Sequence, residues 1–210
     1  MARGHILHKV RTALGRSAGE APAPVPPALL RIPEMPLEER IARMFRNIEA
    51  LAGKTFLAGS DEEARAHVAA IVEGKTAIAS GAGILKRLGI LDLAGVAGGI
   101  TDPVELRRLC AASGIGITGA AYALAETGTL VLLVSPDEAR LVSLLPPVHI
   151  AVVERERILT GLDELFTVLP TPCDTTSSMI FITGPSRTAD IEQILVRGVH
   201  GPGAIHVVVR

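Results

Sequence analysis

From Leu37 onwards the apolar positions return in two alternating rhythms. Ile41, Met44, Phe45, Ile48 and Leu51 recur at three- and four-residue intervals, which is the spacing of one helix face, and Gly53 closes the run. "KTFLAG" (54–59) suits a short strand, and Ser60 with Glu63 makes a capping box for a helix ending near Gly74. "TAIAS" (76–80) predicts another strand, whose turn "GAG" (81–83) leads into the helical "ILKRLGI"; Asp102, Pro103 and Glu105 start a helix through Cys110. Two strands around "ETG" (126–128) follow, then a short helix near 136–142, the strand "HIAVV" (149–153) and a helix from Thr160. The strand "SMIFIT" (178–183), a helix over about 189–196 and the strand "IHVVV" (205–209) complete the pattern. Strands separated by helices predict an α/β domain over residues 37–210, with a mostly parallel sheet covered by helices on both faces.

The first 36 residues follow a different rule. Ile6, Leu7, Val10 and Leu14 lie at helical spacing with Arg3, Lys9 and Arg11 on the other faces, which predicts a short amphipathic helix. The segment 17–36 holds six prolines, which forbid a regular helix or a central strand and make it an extended linker. The expected organisation is therefore an N-terminal helical appendage with its linker (1–36) and one α/β domain (37–210). Such a helix packs on its own body, or docks on a partner or a second copy as the seam of a homo-oligomer.

Composition narrows the function. A compact chain of 210 residues buries roughly 70% of its unfolded surface. Its 48% hydrophobic content includes only five aromatic residues, so the core is aliphatic and there is no platform for stacking bases. Lys plus Arg number 21 against 22 acids, a balance that argues against nucleic acid as a partner. No apolar run approaches the ~20 residues of a membrane span. His8, Lys9 and Arg11 interrupt the basic start before a signal-peptide core forms, so the expected location is cytoplasmic. Cys110 and Cys173 stand alone, and this chain by itself cannot supply four thiolates to an iron–sulfur cluster. No cofactor is predicted.

Most catalytic signatures are missing. "GAGILK" (81–86) follows a strand and opens a helix as a dinucleotide site does, but Lys86 stands where close packing calls for Gly or Ala, so Gly81 and Gly83 read as turn geometry. No P-loop and no metal-binding histidine spacing is present. His149 and His200 read as structural, and Ser143 lies outside any nucleophile elbow.

Two polar corners stand out. In "ALAETGTLVLL" (123–133) Glu126 sits between apolar runs, and Gly128 allows a bend there while Thr127 and Thr129 supply hydroxyl donors. A carboxylate held in such a bend serves as nucleophile, general base or orienting acceptor, or simply bonds the backbone amides of its own turn. In "FITGPSRTADIEQILVRG" (181–198) an apolar strand leads through Gly184, Ser186, Arg187, Thr188 and Asp190 into the predicted helix. Placed at the carboxyl edge of the sheet, that loop suits a small carboxylate or phosphate ligand; the alternative is an ordinary N-cap.

"GITGAAYALAETGTL" (116–130), "SLLPPVHIAVV" (143–153), "FITGPSRTADIE" (181–192) and "GVHGP" (198–202) together resemble the lactate utilization protein C family, whose core is the LUD domain. The resemblance runs from about Leu37 to the end. It implies a fold similar to the ribose-5-phosphate isomerase and CoA-transferase type, and a cytoplasmic system that oxidises L-lactate to pyruvate. It also implies two iron–sulfur partner proteins, which would make this chain the accessory or small-ligand-binding component. The family brings no settled catalytic residues, and it often has an acid where this chain has Ala121. The competing expectations are a stand-alone acyl (CoA) transferase or sugar-phosphate isomerase using Glu126, and a structural partner whose polar loops only close the fold.

Overall fold

The computed structural model describes residues 2–21, 35–189 and 195–210. The chain divides into two compact units, Met1–Arg31 and Ile32–Arg210. The first contains helix α1 (Ala2–Ala13). The second begins with α2 (Leu37–Ala50), β1 (Lys54–Leu57), α3 (Asp61–Val72), β2 (Ala77–Ala79), α4 (Gly83–Arg87) and β3 (Val96–Gly98). It continues with α5 (Pro103–Ala112), β4 (Ile115–Ala120), β5 (Tyr122–Leu124), β6 (Thr129–Leu133), α6 (Arg140–Leu144) and β7 (Val148–Val153). It ends with β8 (Ile158–Leu159), α7 (Leu162–Val168), β9 (Met179–Ile182), β10 (Arg187–Ala189), β11 (Leu195–Arg197) and β12 (Ala204–Val209). Among the described residues no helix is long and apolar enough to cross a membrane.

Local chemistry fixes the helix starts. The Ser60 hydroxyl accepts from the Glu63 amide at 3.2 Å while the Glu63 carboxylate accepts from the Gly59 amide at 2.7 Å, so two orphan donors at the start of α3 are satisfied. Asp102 caps α5 by accepting from the Glu105 amide at 2.7 Å, with Pro103 in the first turn. On α2 the predicted stripe is the buried one: Ile41, Met44 and Ile48 face inwards.

Strands β1, β12, β7, β4, β2 and β3 pair in that order, all parallel, giving the α/β architecture predicted by the alternating pattern. Their side chains alternate between two cores. Ile150, Val152 and Val208 join Val68 and Val72 of α3 on one face; Ala151, Val153, Val207 and Val209 join Ile41, Met44 and Ile48 of α2 on the other. Removing a side chain such as Ile150 from water stabilises the fold by about 2 kcal/mol.

Part of the second face is covered by a further sheet, β8-β5-β6-β9, and not by helices alone. Its Leu130 and Leu132 sit in the same core as α2. The sequence pattern also missed β4, which is fully buried and lies near the middle of the parallel sheet. Gly116 and Gly119 break its apolar rhythm, and both are demanded by close approach. A Cβ on Gly116 would stand 1.9 Å from the Val142 carbonyl oxygen of α6, and one on Gly119 would stand 2.7 Å from the Ala82 Cβ.

The helix expected over about 189–196 is corrected. Arg187–Ala189 and Leu195–Arg197 pair as antiparallel strands, so no helix starts beside the 184–188 loop. Asp190, and the rest of the stretch between the two strands, lies outside the described residues.

Candidate functional site

The order of the parallel strands creates a crevice. From β2 the chain moves outwards to β3, then returns to β4 on the other side of β2 and continues to β7 and β12. The connections leaving β2 and β4 therefore diverge, and α/β proteins bind ligands at the carboxyl ends of strands at such a switch point. A cleft of about 560 Å³ opens there. It is lined by the turn Gly81–Gly83 after β2, by Gly119 to Tyr122 where β4 passes into β5, by Ser135, Asp137 and Glu138 before α6, and by Glu154 and Arg157 beyond β7.

Small residues let these segments touch. The Gly81 amide donates to the Asp137 carbonyl at 2.7 Å, and a Cβ on Gly81 would stand 2.7 Å from the Asp137 carboxylate. The Ser135 hydroxyl accepts from the Glu138 amide at 3.0 Å, which turns the Glu138 side chain inwards. Glu138 is only 8% exposed. Its Oε2 accepts from the Ser80 hydroxyl at 2.8 Å and from the Gly119 amide at 3.3 Å, while its Oε1 is buried without a protein partner. Burial pushes the Glu138 carboxyl up to about 8; the Ser80 and Gly119 bonds pull the other way, and the neighbouring Asp137 charge adds to the rise.

Charged groups on the rim are mostly paired. Lys86 meets Asp137 at 3.3 Å and Arg87 meets Glu154 at 3.0 Å. The Arg157 guanidinium lies over the Tyr122 ring, 5.4 Å from its centroid, and 3.8 Å from Glu154. The site thus combines a carboxyl held largely neutral at pH 7, backbone amides of glycine-rich turns and two cationic side chains, a set suited to holding and polarising a small oxygen-rich ligand.

The two corners singled out from the sequence are neighbours. Hydroxyls of Thr127 and Thr129 lie 2.6 Å apart, and the Thr129 hydroxyl is 2.7 Å from that of Thr183. Gly128, with φ of 67°, packs on Asn47 and Ile48; Gly184, with φ of 79°, packs on Leu51. The Glu126 carboxylate does not join them. It is exposed and runs beside Gly161, its Oε2 only 2.5 Å from where a Cβ there would stand. The Glu126 amide donates to the Thr160 carbonyl at 2.9 Å, and Asn47 donates to the carbonyls of Ala125 and Glu126.

The expectation that the 184–190 loop lies at the carboxyl edge of the parallel sheet is corrected. It leaves β9 of the other sheet, and the Ser186 amide donates to the Pro202 carbonyl, just ahead of the amino end of β12. A second cleft of about 470 Å³ lies here, lined by Thr183, Gly184, Ser186 and Arg187 together with Arg140 and His200. Arg187 donates to the Leu51 carbonyl, and Thr188 lies in β10. Glu126 lines neither cleft.

Sequence reasoning missed Glu138 and Ser80. "SPDEAR" reads as a solvent-facing helix start, and the Ser135 to Glu138 pattern is the one that normally marks a surface cap. The one usable signal was the glycine turn after β2, which failed as a dinucleotide fingerprint but does form one wall of the cleft.

Comparison with known proteins agrees with the fold. The sequence profile of the LUD domain matches residues 41–209. Lactate utilization protein C of Bacillus licheniformis is 44% identical over 92 residues, covering 42% of this chain and 38% of that protein. The protein of the same name from Exiguobacterium is 38% identical over 106 residues, covering 49% of this chain and 46% of that one. The match thus spans less than half the length of these curated relatives. The crystal structure of a DUF162 family protein from Deinococcus radiodurans superposes with a TM-score of 0.64 over 84% of this chain and 99% of that one, at 20% identity.

Proposed function

The chain belongs to the LUD domain family, and from that premise we propose that it is the small-ligand-binding component of a cytoplasmic system that oxidises L-lactate to pyruvate. The observation that carries this reading is the switch-point cleft, in which a buried, largely uncharged Glu138 adjoins glycine turns and the cations Lys86 and Arg157. A 2-hydroxy or 2-oxo acid presents a carboxylate and a second oxygen, which match a cation and a hydrogen-bond donor side by side. With two cysteines this chain leaves electron transfer to iron–sulfur partners. The relatives named for lactate utilization support the metabolic setting.

A second location for the anion is favoured by one observation. Arg140 and Arg187 line the cleft at the amino end of β12 together with Ser186. The acyl-transfer reading is not favoured, because the Glu126 carboxylate lines neither cleft. Trapping with hydroxylamine or borohydride after incubation with acyl-CoA is expected to leave Glu126 unmodified, and an adduct detected there by mass spectrometry would restore that reading.

A deletion strain tests the function. It should fail to grow on L-lactate while growing normally on pyruvate, and the wild-type gene should restore growth. Normal growth on L-lactate without the gene contradicts the proposal.

A further inference from the structure

Glu138 is buried without any cation in contact: among the described residues it makes no ion pair. An ionised carboxylate there would have about four acceptor sites for two protein donors, Ser80 and the Gly119 amide, both of which meet the same oxygen. Oε1 is left over. With Oε2 engaged as the acceptor, a proton on the carboxyl resides on Oε1, where it needs an acceptor that the protein does not provide.

We propose that Glu138 is the specificity-determining residue of the switch-point cleft, acting, once its side chain turns towards the lining, as a carboxylic acid that donates a hydrogen bond to the carboxylate of a small 2-hydroxy or 2-oxo acid. This rests on the reading of the cleft given above. The ionisable groups facing it support the assignment. Lys86 of α4 and Arg157 beyond β7 stand against Asp137 beside Glu138 and Glu154 just after β7, with Arg87 paired to Glu154 and the Tyr122 ring of β5 under the Arg157 guanidinium. With Glu138 protonated, the cations Lys86, Arg87 and Arg157 outnumber the acids Asp137 and Glu154, and the cleft admits an anion. Once Glu138 ionises, that positive excess is cancelled and the donor is lost, so the same ligand is held more weakly. Glu138 thus selects an anionic ligand only while it keeps its proton, and the pH at which that proton is lost limits binding.

Calorimetric titration of the full-length chain with L-lactate and with pyruvate, below and above the Glu138 midpoint of about 8, tests this. Both probes stay ionised throughout, so the pH dependence reports the protein. The wild-type chain should bind at least one probe, with affinity falling about tenfold per pH unit above the midpoint. Glu138→Gln keeps an acceptor for Ser80 and Gly119 and a donor for the ligand, so it should bind as wild type below the midpoint and tighter than wild type above it. Glu138→Ala should bind at least about tenfold more weakly. Identical pH profiles for wild type and Glu138→Gln, or undiminished binding by Glu138→Ala, overturn the inference and leave the cleft reading standing. Failure of the wild-type chain to bind either probe overturns both.

Carbon-13 NMR of the unsubstituted chain, labelled at glutamate carboxyls, gives an answer that does not depend on a variant folding. One glutamate should titrate near 8, and its midpoint should rise when the bound probe is added. A set of glutamates that all titrate in the ordinary range overturns the proposal.

Discussion

At the scale of single residues, Glu138 ties function to stability with opposite preferences. Its folded-state value of about 8 lies above the ordinary 4.5, so the stability it contributes is full below pH 4.5 and is lost as pH rises towards 8. Glu138→Gln has no such titration, and its stability relative to wild type should grow by about 3 kcal/mol between pH 4.5 and pH 7. Denaturant unfolding of both proteins at the two pH values measures this; a difference that does not change with pH contradicts a buried neutral carboxyl. His149 shows the other polarity of the same physics. It is fully buried, shares a hydrogen bond of 2.8 Å with Thr118, and burial pushes its value down to about 4. It therefore stays neutral inside the sheet.

At the scale of elements, β4 organises the molecule. Gly116 brings α6 against the strand and Gly119 brings α4 against it, so the two segments that carry Glu138 and the Gly81 turn meet at one place. Gly116→Ala would press a methyl group onto the Val142 carbonyl and should destabilise the fold by about 3 kcal/mol. Urea unfolding checks it, and a change within about 0.5 kcal/mol would mean that α6 yields freely. These same glycines explain why β4 was illegible in the sequence: without a side chain at two of six positions, periodicity has little to read. Elements with an unbroken apolar pattern, such as α2, β7 and β12, or with a side-chain cap, such as α3 and α5, were legible. The 187–197 segment was not. Ile191, Ile194 and Leu195 have helical spacing, yet Ala189 and Leu195, at the two ends of the expected helix, pair with each other as strand, so pairing overrides local pattern at those described positions. Of the site, the turn after β2 and the Thr127, Thr129 and Thr183 corner were visible as polar interruptions of apolar runs. Glu138 was hidden, because a carboxyl at an expected helix start is ordinarily solvated and only the distant Ser80 and Gly119 make it otherwise.

At the scale of the whole molecule, the two clefts lie at opposite ends of the parallel strands. The Glu138 cleft is at the carboxyl ends of β2 and β4, and the Arg140 and Arg187 cleft is at the amino end of β12. The chain reverses strand order only at the first of these, and four separate segments of the chain meet there. A crystal of the full-length chain soaked with pyruvate, and another with L-lactate, at a pH below the Glu138 midpoint decides between the two ends. The account predicts a bound acid between the Gly81 turn, Gly119 and Glu138, with one of its oxygens in hydrogen-bond contact with the Glu138 carboxyl. Density for the acid beside Arg140 and Arg187, with the Glu138 cleft holding none, would contradict it.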